Sequence, residues 1–189
     1  MVSIYNLENR DQIPQLLADR GYSGVGVEIG GHLGEYSAKL LSHSKLSRLY
    51  SVDTWSAEFP GLPAGMNPFH SFSECADRLW KHGHRAVMLR LPSVEAADLF
   101  KDNSLDFVYI DGNHTLESVT SDIAAWWPKV RRGGVCAGHD YNVISSEVRE
   151  AVDRHCATHR LVLHLTECDF LHGPERHVIR SWLVEKPGG

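Results

Sequence analysis

No C-x-x-C pair occurs in the 189 residues; Cys75, Cys136, Cys156 and Cys168 are scattered along the chain. Cys136 sits in an apolar run and reads as a small core residue rather than a redox centre. Basic residues do not dominate either. Nineteen Lys and Arg stand against 24 Asp and Glu, a formal charge of −5. That balance argues against a general phosphate-backbone binder, so nucleic acid is not an expected partner. No apolar run approaches the length of a bilayer, and the opening "MVSIYNLENRDQIP" lacks a basic-then-apolar signal pattern. The expectation is a cytoplasmic protein with no membrane contact. Internal repeats and inter-domain linkers are also missing, and one domain with a proper core fits the length.

Histidine, in contrast, is plentiful at 12 residues, so metal sites have to be considered. His82 and His84 flank a glycine at an expected helix end. His155 and His159 have helical i,i+4 spacing but no third ligand beside them in sequence. Both pairs read as solvated surface.

Apolar runs alternate with amphipathic stretches. Strands are expected at 24–29, 47–53, 85–90, 105–110, 133–138, 160–166 and 177–185, and helices at about 8–19, 34–43, 70–82, 93–101, 115–127 and 145–157. Such alternation predicts an α/β fold, a mostly parallel sheet with helices on both faces. Only "ECDFLHGPER" (167–176) joins the last two strands. It is too short for a crossover helix, so the final strand should run antiparallel to its neighbour. Residues 56–69, rich in Pro and Gly, form the one long irregular segment; a lid over a site and an ordinary loop are equally good readings.

In "VEIGGHLGEYS" a strand ends in Glu28, Gly30 and Gly31 make a turn, and Gly34 opens a helix. Glycines there let backbone approach a ligand, but the G-G-x-x-G spacing is not the dinucleotide G-x-G-x-x-G. Asp53 closes the second strand, where an acid can accept hydrogen bonds from both ribose hydroxyls. Trp55 beside it either flanks an adenine ring or covers the sheet edge.

These segments, with "LPSVEAADLF" and "DFVYIDGNHTLESVTSDIAAWWPKVRRGGVCAGHDY", resemble the class I S-adenosylmethionine-dependent methyltransferases over about residues 24–185. The resemblance implies a single methyltransferase domain over 1–189. Its fold would be Rossmann-like, a seven-stranded, mostly parallel sheet with the last strand inserted antiparallel. It also implies that Glu28, Gly30, Gly31 and Gly34 hold the methionine part of S-adenosylmethionine, Glu28 attracting its ammonium. Asp53 would then take the ribose and Ser93 would lie beside the adenine, although Ser93 reads equally well as a helix N-cap. Asp111, closing the fourth strand, would border the cofactor too.

"YIDGNHT" and "GGVCAGHDY" carry the chemistry. Asp111, His139 and Asp140 would meet at neighbouring strand ends and offer two hard oxygens and a nitrogen, a set that suits Mg²⁺ or Mn²⁺. The arrangement resembles the metal-dependent O-methyltransferases, of the catechol and macrolide-sugar types. In the latter an Asp and a His three residues on serve as metal ligand and general base, the spacing of Asp111 and His114. His139 departs from both types, where an acid is the first ligand of the fifth strand. An imidazole with a pKa of about 6.5 can take a hydroxyl proton that a cation has made more acidic. Trp126 and Trp127 read as structural, and Tyr141 as a candidate wall of the acceptor pocket. The expected function is divalent-metal-assisted O-methylation of a small-molecule hydroxyl. The alternative is a non-catalytic domain that keeps the cofactor as a ligand. No added specificity domain is apparent, so the loop at 56–69, the N-terminal segment or a second copy in a homodimer is left to shape the acceptor pocket.

Overall fold

Strand alternation decides which side chains reach which layer. The computed structural model describes residues 6–56, 67–141, 146–172 and 177–188. Strands β1 (Val25–Ile29), β2 (Arg48–Asp53), β3 (Ala86–Arg90), β4 (Leu105–Ile110) and β5 (Val130–Tyr141) pair in parallel in the order β3-β2-β1-β4-β5. The two-residue β6 (His164–Leu165) and β8 (His177–Glu185) complete that row, β8 lying antiparallel between β5 and β6. This is the mostly parallel, Rossmann-like sheet with its last strand reversed. Two details differ from expectation. The strand expected over 160–166 shrinks to two residues, because Leu161 N–H turns back to the Cys156 carbonyl and Val162 is exposed. The stretch expected to be a plain connection instead holds an eighth strand, β7 (Phe170–His172), in a hairpin with β8.

Helices α1 (Ile13–Asp19), α2 (Glu35–His43) and α3 (Pro68–Trp80) cover one face. There Ile13, Leu17, Leu40 and Cys75 pack with Phe107, Tyr109, Val135 and Ala137 of the sheet. Helices α4 (Ser93–Ala97), α5 (Leu116–Trp126) and α6 (Ser146–His159) cover the other, over Val27, Ile29, Val108, Ile110 and Cys136. The period of two is plain in β4, where 107 and 109 face one layer and 108 and 110 the other. Burying each such side chain contributes roughly 1.5–3 kcal/mol. The expected helix over 8–19 breaks into a 3-10 turn (Arg10–Gln12), capped by Asn9, and then α1. Pro14, in the first turn of α1, suits a fresh helix start.

Trp126 is fully buried, as a structural residue should be. Trp127 packs against His155, their ring centroids 4.8 Å apart. His155 is thus half-buried rather than solvated, and burial pulls its pKa down to about 4. Among the described residues no helix is long and apolar enough to cross a membrane. The irregular segment 56–69, equally readable as a lid or an ordinary loop, lies mostly outside the described residues, at 57–66.

Candidate active site

The carboxyl ends of β1, β2 and β4 open into a cavity of about 700 Å³, within the range of small-molecule sites. Gly30 makes the approach between β1 and β4 close. Its φ is +91°, and a Cβ there would fall 1.9 Å from the Asp111 carbonyl oxygen, so no other residue fits. Gly30 and His32 wall the cavity, whereas Gly31 packs against Trp55 and Ser51 and Gly34 against Cys75.

Glu28 is not on the cavity wall. It is 2% exposed and accepts a hydrogen bond from the Ser37 hydroxyl, which also contacts Ser51. Burial pushes its carboxyl up to about 8. Its described hydrogen-bond partner is thus Ser37, behind the cavity wall.

Asp53 does face the cavity. Its two oxygens accept the backbone N–H groups of His32 (2.9 Å) and Trp55 (2.8 Å), which fix the carboxylate with lone pairs to spare. Trp55 is buried at the sheet edge. Its indole N–H donates to the His32 carbonyl, its ring packs edge-on to Phe72, and it walls the cavity. At the far end Ser93 is the first residue of α4 and caps nothing; Pro92 holds the cap position. The Ser93 hydroxyl instead accepts the Trp126 indole N–H at 2.9 Å. Next to it on the wall lies Asp122, 6% exposed and pushed up to about 6 by burial, partly offset by a hydrogen bond from Ser93.

Asp111 and His114 form the near end of the wall, and His139 and Asp140 lie beside them. His114 Nε2 is 3.1 Å from Asp140 Oδ2 and 3.7 Å from Asp111 Oδ1, with the side chain 49% exposed. Its pKa is raised by its contact with Asp111 and the charge of Asp140, against some loss from burial. His139 is 5% exposed. Its Nδ1 lies 3.0 Å from Asp140 Oδ2 and 3.7 Å from Asp111 Oδ1. Burial alone would lower its pKa; contacts with Asp140 and Asp169 more than offset that and lift it to about 9.

Successive residues of a strand face opposite layers, yet His139 and Asp140 reach one site. A bulge explains it. β5 advances three residues, Gly138 to Tyr141, while β8 advances two, Trp182 to Arg180, and Asp140 takes φ +55°. His139 keeps the face of Ala137, and the extra residue swings Asp140 to join it.

The donor set fits a small hard cation. Asp111, His139 and Asp140 each offer an atom within 4.8 Å of the others. Bonds of about 2.1 Å at right angles would separate adjacent ligand atoms by roughly 3 Å, close to the 3.0 Å between His139 and Asp140. Asp111 would need to close in slightly from 3.7 Å. His114 already touches the same two carboxylates from the cavity side.

Two residues of this site carry no sequence motif. Arg10, in the N-terminal 3-10 turn, donates from Nη1 to Asp111 Oδ2 at 3.0 Å and lies 5.0 Å above the Tyr36 ring. Asp169, in the segment before β7, faces His139 Nε2 at 3.2 Å, an ion-pair distance without good hydrogen-bond angles. A charged "ENRDQIP" and an acid in "ECDFLH" look like ordinary surface. Tyr141 is not on the cavity wall; its hydroxyl donates to Asp153.

A model of the methyltransferase domain matches residues 27–141. A protein of Sinorhizobium fredii, y4gI, is 28% identical over 132 residues, 66% of this chain. The match spans only 13% of that protein's length. Among solved structures, an O-methyltransferase from Bacillus cereus in complex with SAH superposes with a TM-score of 0.65 at 16% identity, over 93% of this chain and 80% of that one. An rRNA methylase from Streptococcus thermophilus gives 0.65 at 12% identity, over 94% of each chain. Likeness at these identities speaks to the fold, which unrelated acceptors share.

Proposed function

Since this chain belongs to the class I S-adenosylmethionine-dependent methyltransferase family, we propose that it methylates a hydroxyl of a small-molecule acceptor with the help of a divalent cation. Residues 24–185 would act as one methyltransferase domain. The observation that carries the reading is the position of His114, in contact with the two carboxylates of a three-ligand set at the mouth of the cavity.

S-adenosylmethionine supplies an electrophilic methyl group on a sulfonium. Asp53 would accept hydrogen bonds from its ribose hydroxyls, Ser93 and Asp122 would flank its adenine, and the Gly30–His32 turn would lie along its methionine part. Asp111, His139 and Asp140 would hold Mg²⁺ or Mn²⁺. A cation bound there lowers the pKa of an acceptor hydroxyl and fixes its lone pair. His114 Nε2 would take the hydroxyl proton as the methyl group passes from the sulfonium to the acceptor oxygen, leaving S-adenosylhomocysteine; the two carboxylates beside it favour the protonated ring. A non-catalytic role leaves that placement of His114 without a purpose.

The test is a calorimetric titration of the metal-stripped protein with S-adenosylhomocysteine, paired with a Mn²⁺ titration read by electron paramagnetic resonance. Micromolar cofactor affinity and one bound Mn²⁺ are expected, the latter lost in Asp111→Asn and Asp140→Asn. Cofactor binding without any bound Mn²⁺ would remove the cation from the reading. Absence of S-adenosylhomocysteine binding would sink the cofactor assignment.

A further inference from the structure

Asp169 lies outside the stretch the methyltransferase model covers, yet it is among the most tightly held side chains near the site. Its side chain is 1% exposed. Oδ1 accepts the backbone N–H of Arg10 at 2.7 Å, and Oδ2 accepts the Ser181 hydroxyl at 2.7 Å. Because Ser181 spends its proton on Asp169, the 2.8 Å contact between Tyr109 and Ser181 has Tyr109 as donor. The N-terminal turn and β8 thus meet on one carboxylate, with Tyr109 of β4 behind Ser181. Thr166 also hydrogen-bonds this carboxylate, and the same Oδ2 lies 3.2 Å from His139 Nε2.

A carboxylate flanks each ring nitrogen of His139, Asp140 at Nδ1 and Asp169 at Nε2. Once a cation takes the Nδ1 lone pair and Asp140, the ring hydrogen has to sit on Nε2, and the fixed Asp169 carboxylate favours that form. With the other tautomer Nδ1–H would donate to Asp140 Oδ2, and His139 could not bind a cation. Asp169 also restores a negative charge behind a ligand that is itself neutral. We propose that Asp169 is a positioning residue that holds His139 in its Nδ1-ligating form, and that the Arg10 turn locks Asp169 in place. This rests on the metal-assisted reading above.

The experiment compares full-length wild type with Asp169→Asn by Mn²⁺ titration under electron paramagnetic resonance. S-adenosylhomocysteine affinity and thermal midpoint serve as controls, and ¹⁵N spectra of the neutral His139 ring report the tautomer. Outer carboxylates of this kind typically tune metal affinity by about 10–100-fold. Expected is a loss of that size in Mn²⁺ affinity, with S-adenosylhomocysteine affinity within about twofold and the ring shifted toward Nδ1–H. Should Asp169→Asn fail to fold, Ser181→Ala loosens the same carboxylate and should weaken Mn²⁺ severalfold. Equal Mn²⁺ affinity in wild type and a folded variant overturns the inference and leaves the metal reading standing. A wild type that binds no Mn²⁺ overturns both.

Discussion

His114 Nε2 stands 3.1 Å from Asp140 Oδ2, although they lie 26 positions apart with helix α5 between them. The pair joins the segments at the β4 and β5 ends. His114→Ala should lower single-turnover rates by about 10²–10⁴-fold, the usual contribution of a general base. Affinity for S-adenosylhomocysteine, measured by calorimetry, should change by less than about threefold. Unaltered turnover would take His114 out of the reaction.

Asp53 should govern cofactor affinity. Hydrogen bonds to a charged group are worth about 1.5–3 kcal/mol each, so Asp53→Asn should weaken S-adenosylhomocysteine by about 10–100-fold. A 2′,3′-dideoxyribose analogue should lose far less between wild type and variant. Equal losses for both ligands would mean that Asp53 acts only through the His32 and Trp55 backbones it ties down.

Asp122 gives a pH signature. Its folded pKa of about 6 lies above the unfolded value of about 3.9, so the unfolded chain ionises first. Stability from this site is intact below about pH 4, falls as pH rises to about 6 and then levels off. The total is up to about 3 kcal/mol, two pKa units at about 1.36 kcal/mol each. Asp122→Asn removes the buried charge and can still accept from Ser93. Its thermal midpoint should match wild type near pH 4 and exceed it by several degrees at pH 7.5. A difference that does not change with pH would rule this out.

The sheet was legible because its information is local. Runs such as "LDFVYI" read correctly as buried strands, and the short last connection correctly implied a reversed β8. The short extent of β6 and the existence of β7 were not, since an edge strand is defined by what pairs with it and Val162 faces water. Asp111 and His114 share a motif and could be read together. Arg10 and Asp169 are 159 residues apart and meet only because β8 returns beside β5 and the N-terminal turn packs onto Tyr36. Glu28 shows the opposite limit. Its position in the strand was clear, but nothing local revealed that Ser37 would claim its carboxylate.

The extra residue in β5 has a consequence for reading strings of letters. In a regular strand "GHD" would place His139 and Asp140 by parity, odd above and even below, and one of the two side chains would be lost to the helical layer on the other side. One inserted residue reverses that parity for Asp140 alone. Aspartate tolerates the left-handed backbone that the reversal demands, at φ +55°, better than a branched side chain would. Two chains could share these letters, one with the insertion and one without, and only the first would bring both side chains to the same face.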